Sequence, residues 1–132
     1  MSSNRCCYAL ITAAKNEEGY IRNTLQSVVN QTLSPAIWVI VSDASTDRTD
    51  EYIQDFANRF DFIEFVRLES AGTRSFARKT DALETAYAKI RQMSFDVIGI
   101  LDADISLPPN YYQELLLQFT QPYPQFARRG TG

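Results

Sequence analysis

The sequence predicts an α/β protein with a mostly parallel, open sheet flanked by helices. Apolar runs of strand length alternate along the chain with segments in which apolar residues recur at helical spacing. The strand-like runs are continuously apolar, which is typical of strands buried on both faces of a parallel sheet. With 132 residues, 45% of them hydrophobic, the chain can form one domain with its own core.

The first strand is predicted at Tyr8–Ala14, a short apolar run. Residues 16–18 are predicted to begin the helix that follows, and this helix is expected to end near Asn30, ahead of Pro35. The remaining predicted elements, in chain order, are a strand at 37–41, a helix capped by residues 45–47, a strand at 62–68, a helix at 73–92, a strand at 95–101 and a helix at 111–119. Because strands and helices alternate, we expect helices on both faces of the sheet.

Composition excludes several classes of function. The net charge of −3 disfavours nucleic-acid binding, which generally requires a basic patch. The chain has no histidine, so it cannot use Ser-His-Asp or Cys-His catalysis or histidine metal ligands. Any chemistry must therefore use carboxylates, Lys, Arg, hydroxyl groups or a metal ion.

The cysteines and the hydropathy pattern bear on the compartment. The two cysteines, Cys6 and Cys7, are adjacent and lack the spacing of a zinc site, which favours a reducing environment. The sequence shows neither a cleavable signal pattern nor an apolar run of about 18 residues. We therefore expect a cytoplasmic protein, and both peripheral membrane association and a homo-oligomer are compatible with this expectation.

Polar residues follow the predicted strands where a ligand would bind. In open parallel sheets, ligands bind outside the carboxyl ends of the strands. Residues 15–17, 43–47 and 102–104 all occupy such positions. Carboxylates gathered at one edge repel one another, so the arrangement calls for a cation or hydrogen-bond donors.

Asp102 and Asp104 are the most informative of these residues. At a strand end, residues at this spacing can project to the same side, roughly 6–7 Å apart along the chain. Carboxylate oxygens suit Mg²⁺ or Mn²⁺, with water and phosphate oxygens as the remaining ligands. The pair is predicted to hold a metal ion and a diphosphate, with a solvated turn as the alternative.

Asp43 and three basic residues complete the candidate site. The Asp43 carboxylate could accept the ring N–H of uracil or guanine, although the segment 45–47 could serve only as a helix cap. Arg74, Arg78 and Lys79 lie at the start of a predicted helix, where cations oppose the helix dipole. A bound diphosphate would relieve this opposition, and solvated side chains are the alternative.

Four segments together resemble the nucleotide-binding half of the family-2 inverting glycosyltransferases, which have the GT-A fold. They are residues 11–18 (ITAAKNEE), 41–49 (VSDASTDRT), 72–82 and 100–108 (ILDADISLP). The resemblance implies a nucleotide-sugar-binding domain at residues 1–120. It also implies an irregular tail at 121–132 that ends before the acceptor-binding half.

The resemblance also implies roles for individual residues. Glu17 and Asp43 match nucleoside contacts, and Lys79, or alternatively Arg78, matches a basic position near the donor. Asp102 matches a carboxylate near the ribose and the metal, and Asp104 matches the metal ligand that holds the diphosphate. The other nucleotide-binding positions are Ala13, Lys15 and Arg74, where Ala13 and Lys15 stand in place of the family's frequent proline and aromatic residue.

The implied function is metal-dependent sugar transfer. The expected donor is a nucleotide-diphosphate sugar, with a UDP-sugar favoured, the expected cofactor is Mg²⁺ or Mn²⁺, and the acceptor is an unidentified glycan, lipid or protein. No residue of the chain matches the family's general base, so a non-catalytic nucleotide-sugar-binding module is the alternative. An unrelated nucleotidyltransferase is disfavoured, because residues 13–16 lack the glycines of a phosphate loop.

Overall fold

The computed structural model describes residues 7–69 and 75–119, which form alternating strands and helices. The elements are β1 (Tyr8–Ala14), α1 (Ile21–Val29), β2 (Ile37–Asp43), α2 (Thr49–Arg59), β3 (Ile63–Leu68), α3 (Ser75–Ile90), β4 (Val97–Ile100) and α4 (Tyr111–Phe119). The predicted order of elements is confirmed. Arg74 and the tail at 121–132 lie outside the described residues.

The four strands form one parallel sheet in the order β3-β2-β1-β4. β1 therefore lies inside the sheet, with Ala9 opposite Ile37 of β2 and opposite Ile98 of β4. The chain moves outward from β1 to β3 and then crosses back to the other side of β1. This confirms the expected α/β fold with a parallel sheet.

Helices cover both faces of the sheet. On one face, residues of α1, α2 and α4 pack on β1 and β2 around Leu10, Trp38 and Ile40. On the other face, α3 packs on β1 and β2. β4 receives less cover there, and the exposed fraction is 37% for Ile98 and 65% for Ile100.

The start of α1 differs from the prediction, whereas the predicted cap of α2 within residues 45–47 is confirmed at Asp47. α1 begins at Ile21, later than expected, because Asn16 has a positive φ of 51° and residues 16–20 form turns. The N-cap of α2 is Arg48, whose side chain makes no capping bond. Asp47 takes that role instead, since its Oδ1 accepts the Thr49 N–H at 2.9 Å.

Within the described ranges, no helix is both long and apolar enough to cross a bilayer. This agrees with the absence of a long apolar run in the sequence.

Trp38 and Thr12 form a buried polar contact between β2 and β1. The indole Nε1 of Trp38 donates to Thr12 Oγ1 at 2.8 Å, and both side chains are fully buried. Since a buried N–H is costly to leave without a partner, this hydrogen bond fixes the tryptophan within the apolar core.

Thr12→Val is expected to lower the free energy of unfolding by about 1–3 kcal/mol, because the isosteric change leaves the indole N–H buried without an acceptor. Trp38 is the only tryptophan of the chain, so urea unfolding can be followed by its fluorescence. Thr85→Val is the matched control, since the exposed Thr85 hydroxyl bonds only to Asp81 in its own helix. A loss no larger in Thr12→Val than in the control would contradict the expectation.

Candidate functional site

The carboxyl ends of β2, β1 and β4 meet at one edge of the sheet. β1 lies between the other two, with Ala14 opposite Ser42 and Ile11 opposite Ile100. The chain runs outward from β1 through β2 to β3 and then returns to place β4 on the other side of β1, so this edge is a topological switch point, where open α/β sheets bind ligands. The structure gathers here the predicted site residues Ala13, Lys15, Glu17, Asp43, Asp102 and Asp104.

Asp43 and Asp102 lie on the same side of the sheet. Side chains alternate along a strand, so Asp43 faces the same side as Val41, which packs in the α3-side core. Leu101 and Ala103 pack in the core on the α1 side, which directs the intervening Asp102 to the opposite, α3 side. The two carboxylates thus flank β1, separated by about two strand spacings, or roughly 10 Å.

Asp43 differs in burial from Asp102 and Asp104. Asp43 is buried, with an exposed fraction of 4%, whereas Asp102 and Asp104 are both exposed. Two exposed carboxylates fit the hard oxygen ligands that Mg²⁺ or Mn²⁺ prefers. Among the residues that the structure describes, no cluster of three acidic, cysteine or histidine side chains could hold a metal. Water and a ligand's oxygens would have to complete the coordination of an ion at this pair.

Lys15 connects the ends of β1 and β2. Its Nζ donates to the main-chain oxygen of Asp43 at 3.1 Å. The ammonium group is therefore held beside the residue predicted to contact the nucleobase. This position has a hydrogen-bond donor where the family frequently has an aromatic ring.

The turns after β1 and β2 hold each other through Asn16. Its Oδ1 accepts the Thr46 N–H at 2.8 Å, and its own N–H donates to Ser45 Oγ at 3.1 Å. Asn16 and Ala44 both have positive φ values, 51° and 52°, which side-chain-bearing residues seldom adopt. The cross-turn bonds at Asn16 help to hold this uncommon geometry in place.

Asp47 and Thr49 accept hydrogen bonds from the turn after β1. Thr49 Oγ1 accepts the Glu17 N–H at 2.8 Å, and Asp47 Oδ2 accepts the Glu18 N–H at 3.1 Å. Burial raises the pKa of Asp47, but hydrogen bonds from Thr49 and from the Glu18 main chain outweigh this effect and lower it. The position of Glu17 thus depends on Asp47 and Thr49, which sequence reasoning treated only as part of a helix start.

Helix α1 holds the turn that carries the acidic pair. The buried Thr24 hydroxyl donates to the Ala103 carbonyl at 2.9 Å. Just beyond the end of α1, the buried Gln31 donates to the Pro108 carbonyl at 2.7 Å and accepts the Tyr112 N–H at 3.0 Å. Sequence reasoning missed both residues, and for Thr24 the available signal was a polar side chain on the apolar face of the predicted helix.

A polar groove of about 390 Å³ lies on the outer surface of α1 and α2. It is lined by Glu18, Gly19, Arg22, Asn23, Gln26 and Tyr52. None of the three site aspartates borders it, so it is separate from the predicted metal position. The side chain of Lys79, like that of Arg78, lies outside the part of the chain that the structure describes, as does Arg74.

The fold and this edge define a Rossmann-like class of α/β proteins that bind nucleotides at the switch point. Residues 9–129 match the family model described as Glycosyl transferase family 2. The chain belongs to glycosyltransferase family 2, which confirms the resemblance carried by its motifs.

The chain spans only part of the length of two bacterial relatives. It is 33% identical over 100 residues to the probable glycosyltransferase YdaM of Bacillus subtilis. It is 34% identical over 97 residues to a poly-β-1,6-N-acetyl-D-glucosamine synthase of Staphylococcus epidermidis. Each match covers 73% of this chain but only 22% and 21% of the respective relative.

Solved structures confirm the GT-A fold. The segment 1-349 of S. aureus TarS, in complex with UDP, matches with a TM-score of 0.64 at 20% identity, over 86% of this chain and 32% of that segment. The mannosyltransferase PcManGT of Pyrobaculum calidifontis, in complex with GDP-Man and Mn²⁺, matches with a TM-score of 0.60 at 27% identity. That match covers 79% of this chain and 29% of the mannosyltransferase.

Asp47→Asn is expected to destabilise the protein at neutral pH, with the difference from wild type disappearing in acid. A carboxylate with a lowered folded-state pKa stabilises the fold above its unfolded pKa, about 3.9. That stability is lost as the pH falls through the folded value. Urea unfolding between pH 7 and pH 3 measures the difference.

Asp55→Asn is the control for this experiment, because Asp55 forms only an exposed ion pair with Arg59 within α2. A difference between wild type and Asp47→Asn that stays constant over the whole pH range would contradict the role of the Asp47 carboxylate.

Proposed function

We propose that this chain binds a nucleotide-diphosphate sugar, with a UDP-sugar favoured, together with Mg²⁺ or Mn²⁺, as the donor-binding part of a sugar-transferring enzyme. One observation carries the proposal: Asp43, at the end of β2, and Asp102, just after β4, lie on either side of β1 at the carboxyl edge of the sheet. The nucleoside then lies across the end of β1, with its base near Asp43 and its diphosphate near the acidic pair.

Asp43 and Lys15 suit a base that carries an N–H beside a carbonyl group. The Asp43 carboxylate accepts the ring N–H, and the Lys15 ammonium, held at the Asp43 main chain, donates to the neighbouring carbonyl oxygen. Uracil and guanine both have this edge. At the same position, adenine and cytosine have a ring nitrogen that carries no proton. This nitrogen is an acceptor and could not form a hydrogen bond with the carboxylate.

Asp102 and Asp104 are the residues proposed to hold the metal ion. When bound, the ion supplies Lewis-acid stabilisation of the leaving nucleoside diphosphate. The chain's part is to orient these carboxylates, and the buried Leu101 and Ala103 on either side of Asp102 anchor them to the core. Exposure of both aspartates keeps them accessible to the diphosphate oxygens.

Transfer to an acceptor is proposed for the longer protein of which this chain resembles the donor-binding part. The names of the relatives support a glycan acceptor of the cell envelope, since one of them is a synthase of poly-β-1,6-N-acetyl-D-glucosamine. A module that binds the donor without transferring the sugar is the second candidate. It is favoured by the lack of a match to the family's general base among residues 1–132.

Mn²⁺ is expected to strengthen UDP binding by at least about tenfold in calorimetric titrations, and Asp104→Ala is expected to lose most of that gain. The reason is that the variant removes one of the two proposed protein ligands. Asp61→Asn is the control, because Asp61 precedes β3 at the opposite edge of the sheet. UDP binding of equal strength with and without Mn²⁺ would remove the proposed role of the acidic pair.

The wild-type protein is expected to prefer UDP over CDP by about tenfold or more, and Asp43→Asn is expected to reduce this preference. The two nucleotides differ only at the base edge, where an asparagine amide can donate to the cytosine ring nitrogen. Parallel titrations of both nucleotides measure the ratio of dissociation constants. Equal affinity of the wild-type protein for UDP and CDP would contradict the base contact.

A further inference from the structure

Thr24 is a buried polar residue on the core-facing side of α1. Its neighbours on that side, Ile21, Leu25 and Val28, are apolar and fully buried, as Thr24 itself is. Its hydroxyl donates to the Ala103 carbonyl at 2.9 Å and approaches the Tyr20 carbonyl at 3.4 Å. A ligand at the sheet edge cannot reach this hydroxyl, so any effect on the site passes through Ala103.

Ala103 lies between the two aspartates proposed to bind the metal ion. Its carbonyl shares one peptide plane with the Asp104 N–H, so holding the carbonyl fixes the main chain on which Asp104 is carried. Ala103 is itself 4% exposed and packed in the core, which restrains Asp102 from the other side. The hydroxyl of Thr24 therefore bears directly on the relative placement of both carboxylates.

A second contact, made by a residue just after α1, restrains the far end of this turn. Gln31 bonds to the Pro108 carbonyl and to the Tyr112 N–H. The segment from Ala103 to Tyr112 is thus held at both ends by buried polar side chains, one on α1 and one just after it. Without the Thr24 hydrogen bond, the segment next to the aspartates would be held only at its far end, by Gln31.

We propose that Thr24 is a positioning residue for the metal-binding pair, an inference that rests on the proposed function. Metal ligands bind most tightly when other groups orient them in advance, and a buried hydroxyl on a rigid helix supplies such orientation. Gln31 holds the same turn at a greater distance from the aspartates and contributes to its overall course.

Thr24→Val tests this role, because it removes the hydroxyl and preserves the shape of the side chain. The Mn²⁺-dependent part of UDP affinity is expected to fall by about fivefold, while UDP binding without metal stays unchanged. Thr24→Ser restores the hydroxyl and is expected to recover the metal effect. Thr12→Val is the matched control, since it also loses a buried hydroxyl contact but leaves the turn after β4 untouched.

Amide hydrogen exchange supplies a readout that needs no ligand. The amides of residues 103–107 are expected to exchange faster in Thr24→Val than in the wild-type protein, and not in Thr12→Val. Unchanged exchange there, or equal loss of metal-dependent affinity in both valine variants, would overturn the positioning role. Failure of the wild-type protein to show metal-dependent binding would refute the proposed function instead, and exchange would still decide whether Thr24 holds the turn.

Discussion

The candidate site depends on the position of β1 between β2 and β4 in a wholly parallel sheet. Parallel pairing brings the carboxyl ends of all three strands to one edge, so residues far apart in sequence become neighbours. A shift of one residue in the register of β2 or β4 would turn Asp43 or Asp102 to the other face of the sheet. The extensive apolar packing of β1 and β2 between two helical layers strongly disfavours such a shift.

Polar contacts between elements then fix the site more finely than the sheet alone can. The turns after β1 and β2 exchange side-chain to main-chain bonds through Asn16 and Asp47. Helix α1 bonds to the turn after β4 through the Thr24 hydroxyl. The same short helix is thus connected to both the proposed nucleoside end and the proposed metal end of the edge.

The sequence predicted the elements well where local patterns decide them. β1 and α4 have the predicted bounds, because each is an apolar pattern ended by clear polar or proline signals. The start of α1 was wrong, since the left-handed conformation of Asn16 and its bonds to the next turn come from tertiary contacts. Strand order could not be predicted either, because no local sequence pattern indicates that β4 pairs with β1.

Within the site, the carboxylates could be predicted because strand ends and acidic residues are both visible in the sequence. Their assignment to nucleoside and metal remains a prediction. The supporting residues could not be found in this way. Thr24 and Gln31 act on main-chain groups far along the chain, and their targets are defined only once the fold brings α1 and the β4–α4 turn together.

The pairing of β1 with β4 also has a consequence for biosynthesis. The Cys7 N–H bonds to Asp96, 89 positions later, so the central strand leaves the ribosome long before its second neighbour. At ordinary translation rates this interval lasts roughly 5–20 s, during which one edge of an apolar strand lacks its partner. Unpaired edges of this kind promote aggregation, so recombinant yield is expected to be sensitive to growth temperature and chaperone supply.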